Sequence, residues 1–158
     1  MGKFNNKISA EFHPPRKWVL ERSLTYTNPD INEDALERVG VEVKGSKITV
    51  KKDFVTDLAS VPRVCWAFIA PWDVARAAII HDLLYKRIRQ YRAANEDLSD
   101  PNVEEVQRTY NDAKKAADNV FLMAMKDAEP SVPKWKIYSA YYAVVLCGRW
   151  SIIPRDGD

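Results

Sequence analysis

From Val74 to Leu146 the apolar residues recur at three- and four-residue spacing, and this pattern commits half of the chain to helices. Asp73 is placed to cap a first helix over about Val74–Gln90, with Val74, Ala77, Ala78, Leu84, Tyr85 and Ile88 on its apolar stripe. The polar stretch from Ala93 to Asn102 separates it from a second helix over about Val103–Asp127. That helix carries Val106, Tyr110, Ala113, Ala117, Val120, Phe121 and Ala124 at helical positions. Pro130 and Pro133 bracket the restart of a third, over about Pro133–Leu146, and Gly148 is a natural stop.

The first half has a different period. Lys17–Thr27 alternates β-branched and aromatic residues with polar ones. Val41–Val43 and Ile48–Val50 are short alternations joined by Lys44-Gly45-Ser46-Lys47, where Gly45 can take positive φ and close a hairpin. Asn28–Asp34, with Pro29, reads as a turn or loop, and His13-Pro14-Pro15 as extended chain. The expected fold is α+β: a small N-terminal antiparallel β-sheet followed by a three-helix C-terminal half. One domain spans 1–158, with an N-terminal arm (1–16), a β-rich part (17–62), a helical part (73–148) and a tail (149–158).

Lys and Arg number 24 and Asp and Glu 22, a net charge of +2. This gives no electrostatic case for nucleic acid as a partner and leaves only a weak attraction to anionic lipid surfaces. The two cysteines, Cys65 and Cys147, read as free buried thiols and rule out a disulfide-dense scaffold. The N-terminal residues lack the apolar core of a signal peptide, and no run of about 18 apolar residues exists for a transmembrane helix. The expected place of synthesis is therefore a reducing cytoplasm. Trp66, Trp72, Trp135, Tyr138, Tyr141 and Tyr142 read mainly as core, with an interface or membrane-contact belt as the other reading.

The chemistry-bearing residues concentrate on the first two helices. His81 and Tyr85, four apart, share a face, with Asp82 rotated by about 100° onto the next. Histidine accepts a proton near neutral pH, and a carboxylate on a neighbouring helix fixes its tautomer. Asp118 is the candidate. Asp82 can hold a hard cation, whose other ligands would come from loops. The other reading makes the His81 network a tie between helices. A base needs its second ring nitrogen within reach of solvent, whereas a tie can be sealed.

Ala77–Tyr85, containing His81-Asp82-x-x-Tyr85, followed by Ala117-Asp118, resembles the helix-pair signature of the phospholipase A2 superfamily. The resemblance implies His81 as general base, Asp82 as a Ca²⁺ ligand, and Tyr85 and Asp118 as orienting groups. It also places two disulfide positions of the secreted members at Ala77 with Ala124 and Leu84 with Ala117, so that small or apolar pairs stand in for the crosslinks. The family's Gly-rich calcium loop has no counterpart, because no glycine lies between Gly45 and Gly148. Thr56-Asp57-Leu58-Ala59-Ser60-Val61-Pro62 stands there instead, with Thr56, Asp57 and Ser60 as oxygen donors. A second resemblance covers about 40–148. The order Phe54–Pro62, His81–Tyr85, Ala117–Met125 is similar to an uncharacterised family of small proteins of tailed bacteriophages and prophages. Together these imply a phage-encoded, hydrolase-like protein. It would perform metal-assisted ester or lipid hydrolysis, with Ca²⁺ as the implied cofactor. The rival is a non-enzymatic virion component of tail, neck or capsid, or a host-protein-binding factor. Expected partners are virion proteins or lipid, and the expected location is the host cytoplasm, with virion association.

Overall fold

The structure is a computed structural model that describes residues 1–15, 17–57 and 71–156, with 71–73 as backbone only. Antiparallel strands come first and three long helices follow, as the two periodicities require. The strands form two three-stranded sheets rather than the single expected one. The first has the order β1 (Lys3–Phe4), β4 (Leu24–Thr27), β5 (Lys47–Val50), and the second β2 (Ala10–His13), β3 (Lys17–Leu20), β6 (Val55–Thr56). The alternating run over Lys17–Thr27 is split at Glu21–Ser23, so its two halves serve different sheets. Residues 1–16, expected as an arm, supply β1 and β2, and Pro14–Pro15 lies in the turn after β2.

Leu24 faces Val50 and Tyr26 faces Ile48, and all four are buried, while Thr25 and Thr49 share the outer face and join their hydroxyls at 2.9 Å. This period-two division gives the first sheet one core face. The expected hairpin is reduced to a single bridge, Val43 with Ile48, because β5 pairs with β4 instead. Gly45 does take positive φ (59°) in the turn. The Asn28–Asp34 stretch leads into a short helix α1 (Glu33–Glu37), capped by the Asn32 side chain accepting from the Ala35 amide at 3.2 Å.

The long helices are α2 (Pro71–Asn95), α3 (Val103–Lys126) and α4 (Lys134–Ser151). The first begins two residues before Asp73, with a proline in the first turn, where its missing N–H costs nothing. It is buried nearly all round from Val74 to Tyr85, since it packs on α3 and on the first sheet. Facing it, α3 contributes Ala113, Ala116, Ala117 and Ala124, small residues that let the two backbones approach closely. Ala77, Leu84, Ala117 and Ala124, the positions the lipase resemblance paired, all lie in the core.

Gly148 does not end the third helix, which runs three residues further to Ser151. A Cβ at Gly148 would lie 2.2 Å from the Tyr85 hydroxyl and 2.8 Å from Lys114 Cε. The glycine is there for close approach, not for a stop. The aromatic residues of α4 also depart from the core reading: Trp135, Tyr138 and Tyr142 are exposed and Tyr141 is half-buried. Trp66, Trp72 and Cys65 lie outside what is described, and Cys147 is free and half-buried. No helix among the described residues is long and apolar enough to cross a membrane.

Candidate functional site

The helical pitch sets His81 and Tyr85 one turn apart on α2, and the rings meet tilted at 43° with centroids 4.0 Å apart. Phe121 of α3 also packs on the imidazole, its centroid at 5.0 Å. Between them, from α3, comes Asp118. Its Oδ1 lies 3.1 Å from His81 Nε2 and accepts the Tyr85 hydroxyl at 2.6 Å. Its Oδ2 accepts Lys114 Nζ at 2.7 Å, from one turn back on the same helix. Lys114 Nζ also reaches the Val145 carbonyl of α4 at 3.4 Å. Asp118 thus ties α2 to α3, and Lys114 extends the tie to α4.

The charge state of this cluster follows from its partners. Burial alone would push the Asp118 carboxyl up. The hydrogen bond and charge of His81, with the bonds from Lys114 and Tyr85, outweigh it and hold the carboxyl below its ordinary value. Tyr85 moves the other way. Burial, the charge of Asp118 and the bond it donates to that carboxylate all push its hydroxyl well above the usual range. An ionised Asp118 has no proton to give, so the hydrogen shared with His81 sits on Nε2. Nδ1 is the ring nitrogen left outside the pair. Among the described residues it is the one buried side-chain nitrogen or oxygen without a hydrogen-bond partner, and the His81 side chain has no exposed surface.

Asp82 points to different company. The Thr56 hydroxyl of β6 donates to its Oδ2, so the second sheet is tied to α2 one residue from His81. Both groups are buried. Asp57 follows β6 and is exposed. Ser60 lies outside the described residues. A calcium ion needs six to eight oxygens. Among the described residues no three His, Cys, Asp or Glu side chains come together to hold a metal, and Asp82 already spends one carboxylate oxygen on Thr56. These donors alone do not fit a cation shell.

The structure therefore brings His81, Tyr85 and Asp118 into one network and couples Thr56 to Asp82. Reading the sequence missed Lys114 and Gly148. The signal for Lys114 was present, a lysine four residues before Asp118 on a predicted helix. Gly148 had no such signal, because its role depends on where α4 crosses the other two helices.

Residues 36–144 match the model of a family described as Protein of unknown function (DUF1353). The chain belongs to this family. The matched span holds β5, β6, α2, α3 and most of α4, and with them Thr56, His81, Asp82, Tyr85, Lys114 and Asp118. No curated protein and no solved structure gave a significant match.

Proposed function

We propose that this chain is a hydrolase of carboxylic esters, lipid esters in particular, with His81 as its general base and a tailed phage as its source. The observation that carries the reading is the unpartnered Nδ1. A buried acceptor left unsatisfied costs about 1–3 kcal/mol, so it calls for a reason beyond packing. With Nε2–H held by Asp118, Nδ1 would take a proton from water as the water oxygen adds to the ester carbonyl, a step that needs the fully buried His81 side chain to open to solvent. The imidazolium then returns that proton to the alcohol as the C–O bond breaks. Asp118 stabilises the imidazolium, and Tyr85 and Lys114 hold the carboxylate in place. The phage context rests on the motif order over Phe54–Met125.

The test is turnover of phospholipid and short-chain ester by wild type, His81→Gln and Asp118→Asn, with and without Ca²⁺. Loss of about 10²–10⁴-fold in His81→Gln is expected, with the fold retained by circular dichroism. Equal turnover in wild type and His81→Gln removes the reading.

One observation favours the rival, a virion component or host-binding factor. His81 is sealed, as a structural tie is. In that case His81→Leu lowers stability by several kcal/mol without touching any turnover, and the protein is found at stoichiometric copy number in virions.

A further inference from the structure

The exposed side of α4 is a continuous aromatic and aliphatic face. At 100° per residue Trp135, Tyr138, Tyr142, Val145, Leu146 and Trp150 fall within an arc of about 140°. Ile137, Ala140, Val144 and Gly148 occupy the opposite arc and pack on the core. The outer residues are well exposed: Trp135 58 %, Tyr142 59 %, Leu146 64 % and Trp150 62 %. A patch of this kind on a folded chain marks a contact surface.

Its charge identifies what it contacts. No acidic residue occurs from Ser131 to Arg155. Lys126 stands over the Tyr138 ring at 5.3 Å, Arg149 over the Trp150 ring at 5.4 Å, and Lys134 opens the helix. A second copy docked face to face would bring lysines and arginines against each other with no carboxylate between them, so self-association through this face is disfavoured. An anionic bilayer satisfies every part of the pattern. Trp and Tyr prefer the headgroup level, Val145 and Leu146 gain from the acyl boundary, and the cations meet lipid phosphates. The two tryptophans are about 22 Å apart along the helix, which suits a helix lying flat.

We propose that the outer face of α4 is an interfacial binding surface for anionic lipid bilayers. This goes beyond the ester-hydrolysis reading and does not depend on His81. The experiment is co-sedimentation of the full chain with vesicles of phosphatidylcholine alone, and of phosphatidylcholine with phosphatidylglycerol, at low and high salt. Binding to the anionic vesicles only, released by salt, is expected. Trp135→Ser with Trp150→Ser weakens it more than tenfold, and Lys134→Gln with Arg149→Gln weakens it about fivefold per charge. His81→Gln binds as wild type. Brominated acyl chains quench the wild-type tryptophan emission, and the double tryptophan variant loses that quenching. Because the substituted tryptophan, lysine and arginine side chains are exposed, circular dichroism should show the fold unchanged in those variants. Any of three results overturns the proposal: no sedimentation with either vesicle, binding that ignores the tryptophan substitutions, or a dimer that those substitutions dissolve.

Discussion

Gly148→Ala tests whether α4 closes the Asp118 network. In an ordinary helix interior the change would stabilise by about 0.5–1 kcal/mol, because glycine loses more backbone entropy on folding. Here the new Cβ would lie 2.2 Å from the Tyr85 hydroxyl and 2.9 Å from Lys114 Nζ, both closer than real contacts allow. The lysine end can move, but Tyr85 is fully buried between His81 and the α3 side chains. Either α4 backs away or the Tyr85 hydroxyl leaves Asp118. Overpacking costs about 1–3 kcal/mol. Loss of a hydrogen bond to a charged group costs about 1.5–3 kcal/mol. After the helix gain, the net is destabilisation of about 0.5–2.5 kcal/mol, a Tm lower by roughly 1–10 °C. Denaturant unfolding followed by circular dichroism measures it, with the exposed Ser139→Ala as a control within half a kcal/mol. Tyr85→Phe removes the colliding oxygen, so the double variant should be less destabilised than the sum of the singles. A Gly148→Ala chain more stable than wild type, or strict additivity with Tyr85→Phe, refutes the reasoning.

Three further outcomes follow from the two buried networks. Tyr26 is held above its ordinary value by burial and by the bond it donates to Asp127, and Tyr85 by burial and by Asp118. Both folded values exceed the unfolded one, so stability holds below about pH 10 and falls above it. The slope is about 1.4 kcal/mol per pH unit for each tyrosine, and alkaline denaturation of Tyr26→Phe and Tyr85→Phe should show it reduced. At neutral pH Tyr26→Phe removes a 2.6 Å bond to Asp127, whose Oδ2 also accepts from Asn28 and the Gly2 amide; calorimetry should find a loss of about 1.5–3 kcal/mol. Lys114→Met removes the 2.7 Å bond to the buried Asp118 carboxylate, and denaturant unfolding should find a loss of about 1.5–3 kcal/mol.

The helical half was legible because its signal is local and redundant. Val74, Ala77, Ala78, Leu84, Tyr85 and Ile88 on α2 are all buried, as their spacing predicts. The strands were legible in type but not in partnership. Ile48–Val50 carries the same alternation whether it pairs with Val41–Val43 or with Leu24–Thr27, and the choice is made by core burial of Tyr26 and Leu24 against it. The short helix after Asn32 was hidden for a related reason. Five residues give too little periodicity to register, although the Asn32 cap was in plain view.

The aromatic residues of α4 show where spacing stops being informative. Trp135, Tyr138 and Tyr142 obey the helical period, but so do Ile137, Ala140, Val144 and Gly148, and the period alone cannot say which stripe faces inward. The decision lies in close approach. Tyr85 and Lys114 need room to reach Asp118, and Gly148, at the end of the inward stripe, leaves it. The larger aromatic stripe is therefore turned out to solvent. Building the polar network inside and presenting the aromatic face outside are thus one packing choice. A substitution that fills Gly148 should disturb both, moving the His81 environment and the orientation of Trp150 together.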